Sequence, residues 1–141
     1  KQATEEMRRV AHHLMPASLK DKGLATALRD FCRVNPITSF AHHGQDARLP
    51  EQQEVMLYCA THELVNNALK HAKASRIMVQ LMIDEEYAAV IVADDGKGFD
   101  ASMETTSMGL RNIRERVELQ QGRMNISSSP MGTEINIEIP R

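Results

Sequence analysis

His62-Glu63-Leu64-Val65-Asn66-Asn67-Ala68-Leu69-Lys70-His71 sits near the end of a long periodic segment, 51–72, around which the rest of the chain can be arranged. At about 100° per residue, Leu57, Ala60, Leu64 and Ala68 share one stripe, which predicts a helix with a buried face. Pro50 and Glu51 mark its start, where a carboxylate suits the positive end of the helix dipole. Glu63 and Asn67 stand four apart and project together. Lys70 and His71 border the same stripe. A carboxylate, an amide oxygen and a cation so grouped can hold hydrated Mg²⁺ and phosphate. A solvated helix face with no chemistry produces the same pattern, so these residues alone do not decide. His62-Glu63 also begins like the zinc motif HExxH, but Asn66 stands where the second His is required, and that reading fails.

On the C-terminal side, Ile77, Val79, Leu81 and Ile83 alternate, which predicts a strand over 76–83. Asp84-Glu85-Glu86 is a turn, and 87–93 is an apolar run of strand length, so the two strands form a hairpin. Residues 94–107 read as a polar, glycine-containing loop. A helix follows over 109–119 with Ile113 and Val117 inside. Two last strands, 124–129 and 134–139, are joined by Pro130-Met131-Gly132. On the N-terminal side, 1–33 reads as helical. Met7, Val10 and Leu14 keep helical spacing, Pro16 interrupts it, and Leu24, Leu28 and Phe31 resume it. Asn35-Pro36 marks a turn. Residues 37–43 form a short strand and 44–50 a loop, and His42 and His43 read as loop histidines. The expected fold class is α+β: a two-layer α/β sandwich whose sheet is mixed, largely antiparallel, and covered by helices on one face.

Composition agrees. The 141 residues carry 17 Lys plus Arg against 19 Asp plus Glu, a net charge of -2, without the basic footprint of a dedicated nucleic-acid binder. With 42% apolar and 26% charged residues the chain suits a packed globule rather than disorder. Aromatics are 4% and Trp is absent, so Leu, Ile, Val and Met must fill the core. No stretch approaches the roughly 20 apolar residues of a membrane span, and no signal peptide is visible. Cys32 and Cys59 are isolated, with no CxxC pair, and fit a reducing compartment better than a disulfide. Lys1 in place of Met leads us to expect a piece of a longer chain, with any sensor or anchor upstream.

Three further motifs carry chemistry. Asp94-Asp95-Gly96-Lys97-Gly98-Phe99-Asp100 follows a buried strand. Its glycines let backbone approach a ligand, and a carboxylate at a strand end can accept from an amino group such as adenine N6. A glycine-rich turn would look the same. An EF-hand loop is excluded because Gly96 and Gly98 stand where oxygen ligands are needed. Ser107-Met108-Gly109-Leu110-Arg111-Asn112-Ile113 opens a helix whose free N–H groups can bind phosphate. Gly132-Thr133 opens the last strand and alone says almost nothing.

Taken in order, the four resemble the GHKL, or Bergerat-fold, ATPase superfamily over roughly residues 35–141. Glu63 to Asn67 resembles its N box, and Asp94-x-Gly96-x-Gly98 its G1 box. Met108-Gly109-Leu110 resembles the G2 box, and Gly132-Thr133 the last box. Within it, Asn67-Ala68-Leu69-Lys70-His71-Ala72 and Gly109-Leu110-Arg111-Asn112-Ile113-Arg114-Glu115-Arg116-Val117 are most similar to sensor histidine kinases of two-component systems that have a short dimerisation helix pair. The resemblance implies that 1–33 ends the dimerisation region and linker, and that 34–141 is the ATP-binding catalytic domain.

It also implies roles. Asp94 would accept from the adenine amino group, with Thr133 beside it directly or through water. Gly96 and Gly98 would let the lid base approach the nucleotide. Asn67 would be the Mg²⁺ ligand. Lys70 or His71 would touch phosphate, and Gly109 and Leu110 would offer backbone N–H groups. Glu63 would orient or deprotonate the attacking imidazole. The implied partners are ATP or ADP with Mg²⁺, the protein's own dimerisation domain and a response regulator, with no nucleic acid. The full-length protein would be a homodimer, this piece a monomer or weak dimer, and the domain would face the cytoplasm. A lid over 97–108 is expected to be weakly ordered without nucleotide.

Two features depart from the family pattern. Ser107 replaces the first glycine of the G2 box. His12 and His13 precede Leu14-Met15-Pro16 and lack the charged context of a phosphoacceptor, which places the acceptor upstream. A same-fold protein serine kinase and a non-catalytic nucleotide-binding regulatory module stay open as alternatives. The helical opening favours the histidine kinase over the first, and Glu63 weakens the second. The superfamily branches with a following transducer domain fit less well, because the chain ends at Pro140-Arg141.

Overall fold

A computed structural model describes residues 16–98 and 108–141, with Met108 described by its backbone alone. The periodic pattern of Met7, Val10 and Leu14, the histidines at 12 and 13, Ser107, and the lid between 99 and 107 lie outside the described residues.

Among the described residues nine elements run in the order α1 (Ala17–Lys22), α2 (Leu24–Arg33), β1 (Thr38–Gly44), α3 (Glu51–His71), β2 (Ile77–Ile83), β3 (Tyr87–Asp94), α4 (Met108–Leu119), β4 (Arg123–Ser129) and β5 (Gly132–Pro140). The sheet has the order β1-β2-β3-β5-β4. Among the described strands the β1–β2 pair is parallel, and the other three pairs are antiparallel. The parallel pair follows from chain direction. A strand separated from its neighbour by a whole helix can return parallel, whereas the tight turns after β2 and β4 enforce antiparallel hairpins.

Alternation in the strands sets which face is covered. Ile77, Val79, Leu81 and Ile83 are buried while Met78 and Met82 are exposed, and Ile135, Ile137 and Ile139 repeat the pattern in β5. Leu57, Ala60, Leu64 and Ala68 of α3 are buried against that inner face, as are Ile113 and Val117 of α4. The helices thus lie on one face, forming the two-layer α+β sandwich.

The N-terminal helices differ from a continuous run. Gly23, with φ +98°, ends α1 and opens α2 in a conformation that a side chain rarely adopts. Leu19, Leu24, Ala27, Leu28 and Cys32 then enter the same core as the sheet. Arg48 fastens the junction. It is paired to the buried carboxylate of Glu54 at 3.0 Å and donates to the carbonyls of Leu19 and Lys20. His42 and His43 lie in β1 rather than in the loop, because the strand runs on through Gly44. Both cysteines are free thiols, and burial pushes the Cys32 thiol up to about 11.

Candidate functional site

An apolar cavity opens where α3, the end of β3, the start of α4 and the start of β5 converge. Leu64, Asn67, Ala68, His71 and Ala72 line it from α3. Val92 and Asp94 come from β3, Gly98 from the following loop, Leu110 from α4, and Thr133 and Ile135 from β5. Of the residues singled out in the sequence, Asn67, His71, Asp94, Gly98, Leu110 and Thr133 meet here. The described residues enclose about 210 Å³, short of the roughly 300 Å³ at which small-molecule pockets begin.

Asp94 is the polar anchor of this cavity. It is the last residue of β3, opposite Thr133 of β5. Its Oδ1 accepts from the Gly96 amide at 2.8 Å. Burial pushes its carboxyl above the ordinary range, the Gly96 amide pulls it back, the neighbouring Asp95 pushes it up, and the Thr133 amide again opposes. An ionised carboxylate here accepts and cannot donate, so it suits a group that offers an N–H or O–H.

Asp95 is adjacent in sequence and takes no part in the cavity. It turns to the start of β2, where it accepts from the Ser75 amide at 2.8 Å, the Arg76 amide at 2.9 Å and the Ser75 hydroxyl. The Ser75 hydroxyl and the Arg76 amide hold its carboxyl below the usual range. One aspartate of the pair lines the cavity and the other ties down the loop that precedes β2.

The glycines of this loop are needed for close approach. A Cβ on Gly96 would stand 2.3 Å from the Ala72 carbonyl oxygen at the end of α3. Gly98 has φ +75°, and its Cβ would stand 2.0 Å from the Ser129 carbonyl oxygen and 2.9 Å from the Ser128 Oγ. Gly96 is buried and belongs to the packing beneath the cavity, whereas Gly98 lines it.

The remaining residues divide. Glu63 is exposed and does not line the cavity. A Cβ on Gly109 would come within 2.7 Å of Glu63 Oε1, so the carboxylate lies against the first turn of α4, where a negative charge suits the helix dipole. Lys70 is exposed and outside the cavity lining, while His71 is exposed and at its edge. His62 points elsewhere. Its ring stacks on Phe31 of α2 at 4.7 Å between centroids, its Nδ1 lies 3.0 Å from Asn66 Nδ2, and burial holds its pKa down against the pull of Glu63.

Sequence reasoning missed Ser128. Its Oγ lies 2.9 Å from Thr133 Oγ1 across the β4–β5 pair. The only signal was the serine run 127–129 before the last hairpin, and serines are frequent in turns.

Among the described residues no cluster of three His, Cys, Asp or Glu side chains could cage a metal. No helix among the described residues is long and apolar enough to cross a membrane.

Comparison with known proteins places this fold and cavity in a family. The family described as histidine kinase-, DNA gyrase B-, and HSP90-like ATPase matches residues 52–141. The chain belongs to this family.

Among curated relatives, it is 33% identical to the signal transduction histidine-protein kinase/phosphatase DegS of Brevibacillus brevis, over 99% of this chain and 38% of that protein. It is 34% identical to the sensor histidine kinase MctS of Rhizobium johnstonii, over 99% of this chain and 32% of that protein. The chain thus spans about a third of the length of these relatives. Among solved structures, the blue-light activated histidine kinase of Erythrobacter litoralis superposes with a TM-score of 0.73 at 24% identity, covering 99% of this chain and 49% of that one. The ATP binding domain of PrrB from Mycobacterium tuberculosis gives 0.60 at 20% identity, covering 83% and 90%. At these identities the structural likeness is one of fold.

Proposed function

We propose that this chain is the ATP-binding catalytic domain of a two-component sensor histidine kinase. It would deliver the γ-phosphoryl group of ATP to a histidine on the dimerisation region, for relay to a response regulator. The observation that carries the proposal is that Asp94, a part-buried acceptor, and its register partner Thr133, a buried polar residue, together line an apolar cavity edged by Asn67 and His71. The activities named for the relatives support it.

Asp94 accepts from the adenine amino group, and Leu64, Ala68, Val92 and Ile135 exclude water from the faces of the base. Asn67 would hold Mg²⁺ through its amide oxygen, and the bound ion would supply neutralisation of the phosphate charge. His71, with Lys70 nearby, faces the phosphates, and the start of α4 at Gly109 and Leu110 offers amide donors. Glu63, beside Gly109, orients the acceptor imidazole and takes its proton. One imidazole nitrogen forms a bond to the γ-phosphorus as the bond to the β–γ bridging oxygen breaks, and ADP leaves with that electron pair. Positioning and charge neutralisation supply most of the rate in such transfers.

The same proposal divides the chain. Residues 1–33 lead out of the dimerisation helices, and 17–33 are the part docked on the catalytic domain. The full-length protein is a homodimer, with this domain in the cytoplasm.

The test is phosphorylation of the full-length protein with γ-labelled Mg-ATP. The proposal expects an acid-labile, base-stable phosphoryl group on a histidine, lost in Asn67→Ala. An acid-stable phosphoserine on a partner would point to the serine-kinase alternative. Tight ATP binding with no transfer would point to a regulatory module.

A further inference from the structure

Asp94, Thr133 and Ser128 form a row across three adjacent strands. Asp94 pairs in register with Thr133, and Thr133 with Ser128. Thr133 is only 6% exposed, yet it lines the cavity. Its Oγ1 lies 2.9 Å from the Ser128 Oγ, and Ser128 does not line the cavity. Through Thr133, Ser128 is thus coupled to the cavity lining.

We propose that Ser128 is a positioning residue that fixes the direction of the Thr133 hydroxyl and thereby sets the preference for adenine. This rests on the nucleotide reading above. A hydroxyl has one proton and two lone pairs. If Thr133 spends its proton on Ser128, it offers the cavity only lone pairs. If Ser128 donates to Thr133, the Thr133 proton is free for the ligand. Adenine presents an amino donor beside N1, a bare acceptor. Asp94 already accepts from the amino group, so N1 needs a donor, directly or through one water. The Ser128 proton must then point at Thr133. Guanine presents the reverse order, an acceptor oxygen beside an N1–H, and meets a like group at both positions.

The experiment compares ADP with 1-deaza-ADP, which replaces N1 by C–H. Binding to the 141-residue chain is measured by calorimetry, with circular dichroism to confirm folding. Wild type prefers ADP by about three- to tenfold, the range of one neutral hydrogen bond. In Ser128→Ala the Thr133 hydroxyl loses the neighbour that fixes its direction, so that ratio falls, and in Ser128→Thr, which restores a hydroxyl, it returns. Thr133→Val supplies the check on relay: its ratio is near one, and adding Ser128→Ala changes it no further.

A Ser128→Ala protein that keeps the wild-type ratio overturns the inference and leaves the adenine site standing, as does an equal loss of both ligands. If Ser128→Ala does not fold, Ser128→Thr and Thr133→Val carry the test, and a wild-type ratio in Thr133→Val overturns the inference. Failure of folded wild type to bind ADP overturns the nucleotide reading and this inference together.

Discussion

Asp94 and Thr133 face each other across the β3–β5 ladder, and the Gly96 amide donates to the Asp94 carboxyl. Burial still prevails at Asp94 and raises its pKa, whereas Asp95, bonded by Ser75 and Arg76, is lowered. The two neighbours therefore bear on stability with opposite signs. A raised folded pKa makes ionisation unfavourable to the fold, so the Asp94 contribution falls as pH climbs from the ordinary aspartate value to the raised one. The Asp95 contribution is present above the ordinary value and lost as pH falls through the lowered one. Carbon-13 carboxyl NMR of the ligand-free protein should show Asp94 titrating at higher pH than Asp95. A reversed order would contradict this reading.

Gly98→Ala should loosen the site. The new Cβ meets the Ser129 carbonyl oxygen, and φ is +75°. Left-handed backbone costs an L-residue roughly 1–2 kcal/mol before any displacement of the hairpin. Chemical denaturation should show at least that loss, and ADP affinity should fall several-fold. Unchanged stability would mean that the loop does not sit against Ser129.

The sequence made Asp94 legible but not its division of labour with Asp95. Both precede the same glycine, and only the turn between β3 and Gly96 decides which side chain faces the cavity. The α3 stripe and the two hairpins could be read because burial on one face imposes a strict period. Gly23 was harder: Leu24, Leu28 and Phe31 keep helical phase with or without a break, and only the positive φ separates α1 from α2. Nor does an amphipathic stripe say what covers it, so docking of α2 on β1 and α3 needed the structure. Ser128 was invisible because a hydroxyl acquires its meaning from the partner across the ladder.

Leu28→Ala tests that docking. Leu28 is fully buried in the core shared with the sheet. Truncating such a side chain costs about 2–5 kcal/mol. Global unfolding of the whole chain should shift by that amount in one transition. A loss confined to an early helical transition would show that α2 is a separate unit.

Asn67→Ala should separate metal from base. Asn67 lines the cavity on α3, away from the Asp94–Thr133 pair on the sheet. ADP affinity without Mg²⁺ should change little, while the gain in ATP affinity on adding Mg²⁺ should shrink about tenfold. An intact Mg²⁺ effect in the variant would remove Asn67 from the metal site.

The most direct test of the adenine site is calorimetry of ADP and ATP, with Mg²⁺, on wild type and Asp94→Ala. Wild type should bind both. The variant should stay folded and lose about ten- to hundredfold in affinity, the range of a hydrogen bond to a charged group. A folded wild type that binds neither nucleotide, or a variant that binds as well as wild type, would contradict the assignment of Asp94 as the adenine acceptor.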